Sequence, residues 1–107
     1  MDKVFALLGF AQRSGKVVSG EQGVASALHR DKVHCLIVAK DSSQNTLRKY
    51  SAKAAAQNVP VYLFGTKLEL GQAIGKAQRS LIAVLDSGFA RAIELELGGQ
   101  NLSREKD

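Results

Sequence analysis

The chain of 107 residues has no tryptophan and only one proline, one cysteine and one methionine. The lone Cys35 excludes an internal disulfide framework and a zinc site built from cysteines alone, and it fits a reducing compartment. With Pro60 the only proline, and no tract rich in Gly, Ser and Pro, there is no linker to divide the chain. No apolar run approaches the roughly 18 residues that cross a bilayer. The opening Met1-Asp2-Lys3-Val4-Phe5 lacks the apolar stretch and small-residue cleavage site of a secretory leader. The expectation is a cytoplasmic protein with no membrane association. Aromatics are sparse as well. Phe5, Phe10, Phe64, Phe89, Tyr50 and Tyr62 fall mostly at core-like spacings and form no stripe on which single-stranded bases would stack.

What is present is ordinary for one globular domain. The chain is 45% hydrophobic and 23% charged, which excludes wholesale disorder. Fifteen Lys and Arg against ten Asp and Glu leave a net charge of +5, which points to an anionic partner.

Hydrophobic periodicity alternates between helix and strand. Val4, Leu7, Leu8 and Ala11 predict a helix over residues 2–13, closed by Arg13-Ser14-Gly15, and Val17-Val18 a short edge strand. Ser19 and Gln22 have the spacing of a capping box, opening a second helix that carries Val24, Ala27 and Leu28 up to Arg30. Residues 33–39 read as a buried central strand. Asp41-Ser42-Ser43 offers an N-cap for a third helix marked by Leu47, Tyr50, Ala54 and Ala55, with Asn58 as its stop. Residues 59–64 predict a second long strand, and Thr66 to Glu69 a capping box opening a short helix through Ile74. Residues 81–85 predict a third long strand, and Phe89, Ala92, Ile93 and Leu97 mark a last helix. Helical crossovers between apolar strands favour parallel pairing with both sheet faces covered. The expected fold is therefore α/β: a three-layer α/β/α sandwich around a small mixed, mostly parallel four-stranded sheet. Gly98-Gly99 closes the pattern, so residues 1–98 form one domain and 99–107 a short polar tail.

Chemistry is hard to find in this sequence. No nucleophile–base pair is evident, so no enzyme and no catalytic residue is expected. His29, His34 and Cys35 do not have metal-ligand spacing, and neither a metal nor a cofactor is expected. Cys35 sits in the most apolar strand and reads as an inert buried thiol. Asp41 and Asp86 each follow a strand, where capping the next helix is the simpler role. Gly15-Lys16 is followed by Val17 where a phosphate loop needs Ser or Thr, so nucleotide hydrolysis is unsupported. A binding surface remains, built from three features: the loop Arg13-Ser14-Gly15-Lys16, the helix start Gly20-Glu21-Gln22-Gly23 with its exposed N–H groups, and the loop Gly75-Lys76-Ala77-Gln78-Arg79-Ser80.

These segments belong to an ordered series of blocks. The series runs from Gly9-Phe10-Ala11-Gln12-Arg13-Ser14-Gly15-Lys16-Val17-Val18-Ser19-Gly20 through Cys35-Leu36-Ile37-Val38-Ala39-Lys40-Asp41 and Asn58-Val59-Pro60-Val61-Tyr62. It continues with Gly65-Thr66-Lys67-Leu68-Glu69-Leu70-Gly71 and Ala73-Ile74-Gly75-Lys76, and ends at Asp86-Ser87-Gly88-Phe89-Ala90. Over about residues 3–95 it resembles the kink-turn RNA-binding ribosomal proteins, the family of archaeal protein seven-Ae and eukaryotic protein thirty-e, in its bacterial YlxQ-type branch. The resemblance implies an α/β/α sandwich whose second helix enters the opened major groove of a bent RNA and contacts tandem sheared G·A pairs. By position it implies that Gly20, Glu21, Gln22 and Gly23 meet the RNA. Gly23 stands where relatives carry a polar side chain, and Ser26 where they carry a lysine. Arg30 matches a basic contact position, and Gly15 and Lys16 match an RNA-contacting turn. Lys76, Ala77, Gln78 and Arg79 match a second RNA-facing loop, and Leu47 matches a position where relatives often carry an aliphatic residue lining the pocket for an extruded base. Arg13 and Lys40 add charge. The implied partner is structured RNA of kink-turn type, including ribosomal RNA and the ribosome, with no DNA. Gly23 and Ser26 motivate the alternative, a protein-interaction module on the same fold with RNA binding weak or lost.

Overall fold

The computed structural model describes residues 2–98; the polar tail expected over 99–107 lies outside the described residues. The element order is α1 (Lys3–Arg13), β1 (Val17–Ser19), α2 (Glu21–His29), β2 (Cys35–Val38), α3 (Gln44–Ala56), β3 (Val61–Leu63), α4 (Lys67–Ala73), β4 (Leu81–Val84) and α5 (Ser87–Leu97).

Local chemistry sets most boundaries. Asp2 caps α1 by accepting from Val4 N–H at 2.8 Å, and Asp86 caps α5 by accepting from Phe89 N–H at 2.8 Å. The Thr66–Glu69 capping box forms in both directions, at 3.1 Å and 3.0 Å. Asn58 takes a positive φ of 58° just beyond α3, a conformation that Asn tolerates better than most residues. Two expectations fail. The box proposed for Ser19 and Gln22 is not made: Gly20 is the N-cap of α2, and the Ser19 hydroxyl accepts from Arg79 Nε at 3.0 Å. Asp41 does not cap the helix that follows it. Ser43 does so, while Asp41 Oδ1 accepts from Lys67 N–H, at the start of α4, at 2.8 Å.

The four strands form one mixed sheet in the order β1-β4-β2-β3. Its central strands are buried on both faces. Cys35, Ile37, Ile82 and Val84 face one core with α1, α4 and α5, and Leu36, Val38, Leu81 and Ala83 face the other with α2 and α3. The three-layer α/β/α sandwich stands as expected. The balance of the pairing does not: β2 and β3 are parallel, but β4 runs antiparallel to both β1 and β2. The connection through α4 explains the difference. It never returns to the starting end of the sheet, because Lys40 N–H donates to Gly65 O just after β3 and Ala39 N–H donates to Ser80 O just before β4. The chain leaves β3 and enters β4 at the same edge, and β4 must run the opposite way.

Cys35 is fully buried. Desolvation first, and then the nearby Glu94 carboxylate, push its thiol up to about 12, so it is neutral and unreactive in the folded protein.

Candidate nucleic-acid interface

Antiparallel pairing between β1 and β4 creates the site. It sets Ser19 opposite Ile82 and lets Gly20 N–H donate to Leu81 O at 3.1 Å. The start of α2 and the loop before β4, sixty residues apart in sequence, therefore meet at one edge of the sheet. Between them lies an open cleft of about 530 Å³, lined by Ser19, Gly20, Glu21, Gln22 and Gly23 on one side and Gln78, Arg79, Ser80 and Leu81 on the other.

Among the described helices, α2 is the one whose N-cap supplies no side-chain hydrogen bond. Its first-turn N–H groups and the positive end of its dipole are left to face the cleft. Gly20 makes this geometry possible. Its φ of 83° and ψ of 164° fall in a region essentially confined to glycine, although a Cβ there would have nothing within 4 Å. Gly20→Ala is therefore expected to cost about 1–3 kcal/mol through the backbone alone. Chemical denaturation would check this, and an unchanged midpoint would contradict it.

Two side chains hold the cleft in shape. Arg79 is half-buried and directs its guanidinium inward: Nε donates to Ser19 Oγ at 3.0 Å, and Nη1 donates to Gln78 O at 3.0 Å and Ala77 O at 3.3 Å. Tyr50, buried on α3, donates its hydroxyl to Glu21 O at 3.0 Å and ties α3 to the first turn of α2. Burial, and then the Glu21 carboxylate, raise the pKa of this hydroxyl, which keeps it a donor.

The other residues singled out in the sequence divide into two groups. Lys76 and Ala77 are exposed in the loop that leads into the cleft, and exposed Lys40 follows β2 at the same edge, next to Ser80. Leu47 is half-buried in the first turns of α3. Gln22, Ser26 and Arg30 recur every four residues and share the exposed face of α2, so Arg30 lies about 12 Å down the helix from Gln22. Arg13, Gly15 and Lys16 do not join the cleft. They sit at the opposite end of β1, where Lys16 O accepts from Leu85 N–H, and the Arg13 guanidinium lies over the Phe10 ring at 4.8 Å on the α1 side.

Sequence reasoning missed Ser19, Tyr50 and Gly71. Only Gly71 left a cue, as a glycine inside an otherwise good helix. A Cβ there would lie 2.0 Å from Ala77 O, so the loop folds back directly onto α4 at this point. No cluster of three or more His, Cys, Asp or Glu able to hold a metal, and no helix long and apolar enough to cross a membrane, occurs among the described residues.

Residues 2–94 match the ribosomal protein L7Ae/L30e/S12e/Gadd45 family. An RNA-binding protein YlxQ of Bacillus subtilis (strain 168) is 37% identical over 89 residues, covering 83% of this chain and 89% of its own. An RNA-binding protein YlxQ of Enterococcus faecium is 34% identical over 89 residues, covering 83% of this chain and 85% of its own. A solved structure of a protein of unknown function from Bacillus halodurans superposes with a TM-score of 0.87 at 33% identity, covering 91% of this chain and 98% of that one.

Proposed function

The chain belongs to the ribosomal protein L7Ae/L30e/S12e/Gadd45 family and is a non-enzymatic RNA-binding protein, and from that premise we propose that it recognises a kink-turn or a similarly bent structured RNA, ribosomal RNA included, at the edge where β1 ends and β4 begins. The observation that carries this reading is the uncapped start of α2, which opens into the same cleft as Gln78 and Arg79. A straight A-form duplex has a major groove too deep and narrow to admit protein, and a sharp bend opens it. The first-turn N–H groups of α2 then face phosphate oxygens or base edges. Gln22 brings an amide that both donates and accepts, and Gly20 and Gly23 let the RNA approach the backbone closely.

Lys40, next to Ser80, and Lys76, in the loop that carries Gln78 and Arg79, serve as phosphate partners from that wall of the cleft, and Arg30 extends the footprint down α2. Leu47 and Ala77 supply apolar contact for an extruded base. Arg13, Gly15 and Lys16 fall outside this footprint. A cytoplasmic location beside the ribosome goes with such a target.

The test is a titration of a labelled kink-turn RNA against a straight duplex of equal length. The kinked RNA is expected to bind at least about tenfold more tightly, a difference of about 1.4 kcal/mol. Equal affinity would overturn recognition of the bend. A partner captured from cells that survives nuclease treatment, together with RNA affinity indifferent to salt, would favour a protein-interaction module instead.

A further inference from the structure

The two outer layers of the sandwich carry different charge. With their caps, α1, α4 and α5 hold four cations against five anions. On the other side, α2 and α3 with theirs hold Arg30, Arg48, Lys49 and Lys53 against Glu21 alone. Across its thirteen residues α3 contains no acidic residue, and Arg48, Lys49 and Lys53 are all exposed. None of the three has an ion-pair partner among the described residues.

This arrangement works against the helix. Lys49 and Lys53 are four residues apart and repel each other on one face, with no carboxylate to relieve them. Complementing the helix dipole accounts for Lys53, in the last turn, but not for Arg48 and Lys49 in the middle of α3. A polyanion on that face would turn the repulsion into attraction.

The fold places such a polyanion within reach. α2 and α3 lie side by side in one layer, and both begin at the cleft edge and run away from it. Tyr50 bridges them through Glu21 O, and Lys49 Nζ lies 5.7 Å from the centre of the Tyr50 ring, beside the seam between the two helices. A stem leaving the bend along Gln22, Ser26 and Arg30 runs past this seam.

We infer that the outward face of α3, through Arg48, Lys49 and Lys53, is a second RNA contact that holds the phosphate backbone of one stem flanking the bend. This rests on the reading of the cleft as the site of bent RNA. The contact is to phosphates, so it adds affinity and salt dependence and is blind to base sequence.

The experiment compares wild type with the triple variant Arg48→Gln, Lys49→Gln, Lys53→Gln on a kink-turn RNA with two long stems, and on the same RNA with each stem shortened in turn. Neutral glutamines on an exposed helix face keep the fold, which circular dichroism verifies. On the long RNA the variant is expected to bind more weakly, with a salt slope shallower by about 2.7. Between 50 and 200 mM salt, its deficit relative to wild type should then shrink by about forty-fold. Shortening one particular stem should abolish the difference, and shortening the other should leave it intact. Unchanged affinity and slope on the long RNA would overturn the inference. So would a deficit that persists whichever stem is shortened, because the three cations would then be acting on the cleft itself. A wild type that binds kinked and straight RNA equally refutes the cleft reading separately, and the slope change on a plain duplex still reports on α3.

Discussion

Gly71→Ala is expected to destabilise the protein by about 1–3 kcal/mol, the usual range for forcing extra volume into a packed site. For a domain of this size that is a fall in Tm of about 4–8 °C per kcal/mol. The added Cβ would sit 2.0 Å from Ala77 O, 2.7 Å from Ala77 C and 3.0 Å from Lys76 O. These are backbone atoms, so no rotamer change relieves the overlap. The turn above α4 is also anchored on this residue, with Lys76 N–H donating to Gly71 O at 2.8 Å and Ile74 N–H donating to the same oxygen at 3.2 Å. Relief therefore requires the loop 75–79 to move away, and that loop carries Gln78 and Arg79, one wall of the cleft. The variant is expected to lose RNA affinity as well as stability. Gly23→Ala is the control: its Cβ would meet nothing closer than Val18 Cβ at 3.7 Å, an ordinary contact. Replacing a glycine inside a helix there should stabilise by about 0.5–1 kcal/mol. Thermal unfolding of the two variants side by side decides the matter, and equal Tm values would show that the overlap at Gly71 is relieved cheaply.

Removing Arg79 is expected to weaken capture of a bent RNA by about 10–100-fold, the equivalent of the roughly 1.5–3 kcal/mol that hydrogen bonds to charged groups contribute. Arg79→Lys should do nearly the same damage as Arg79→Ala. The guanidinium joins Ser19 Oγ on β1 to two carbonyls of its own loop, and one planar fork makes all three bonds. A lysine ammonium keeps the charge but cannot reproduce that geometry. Arg79 is thus a positioning residue that fixes the width of the cleft. Full rescue of binding by the lysine variant would instead make it a plain phosphate partner.

The two variants mark where the sequence was readable. Periodicity exposed the buried faces of Val4-Leu8-Ala11 and of the central strands, because one burial environment repeats at 3.6 or 2 residues. Thr66, Glu69, Asp86 and Asn58 acted as local punctuation, because their bonds or dihedrals involve neighbours within a few residues. The same local logic misled at Ser19 and Asp41. Each satisfies a donor brought by the fold from far along the chain, Arg79 for one and the Lys67 amide for the other. It also misplaced Arg13, Gly15 and Lys16, which lie close to Gly20 in sequence but are separated from it by the length of β1.

The sequence by itself determined the elements, the layered α/β/α architecture, the absence of evident catalytic pairs and the family, since these follow from local patterning and an ordered series of short blocks. Only the tertiary structure decided the direction of β4. Strand direction depends on which edge of the sheet a connection returns to, and that is a property of the whole path through α4 rather than of any residue in it. That antiparallel pairing brings Gly20 to Arg79 and makes a site out of two loops.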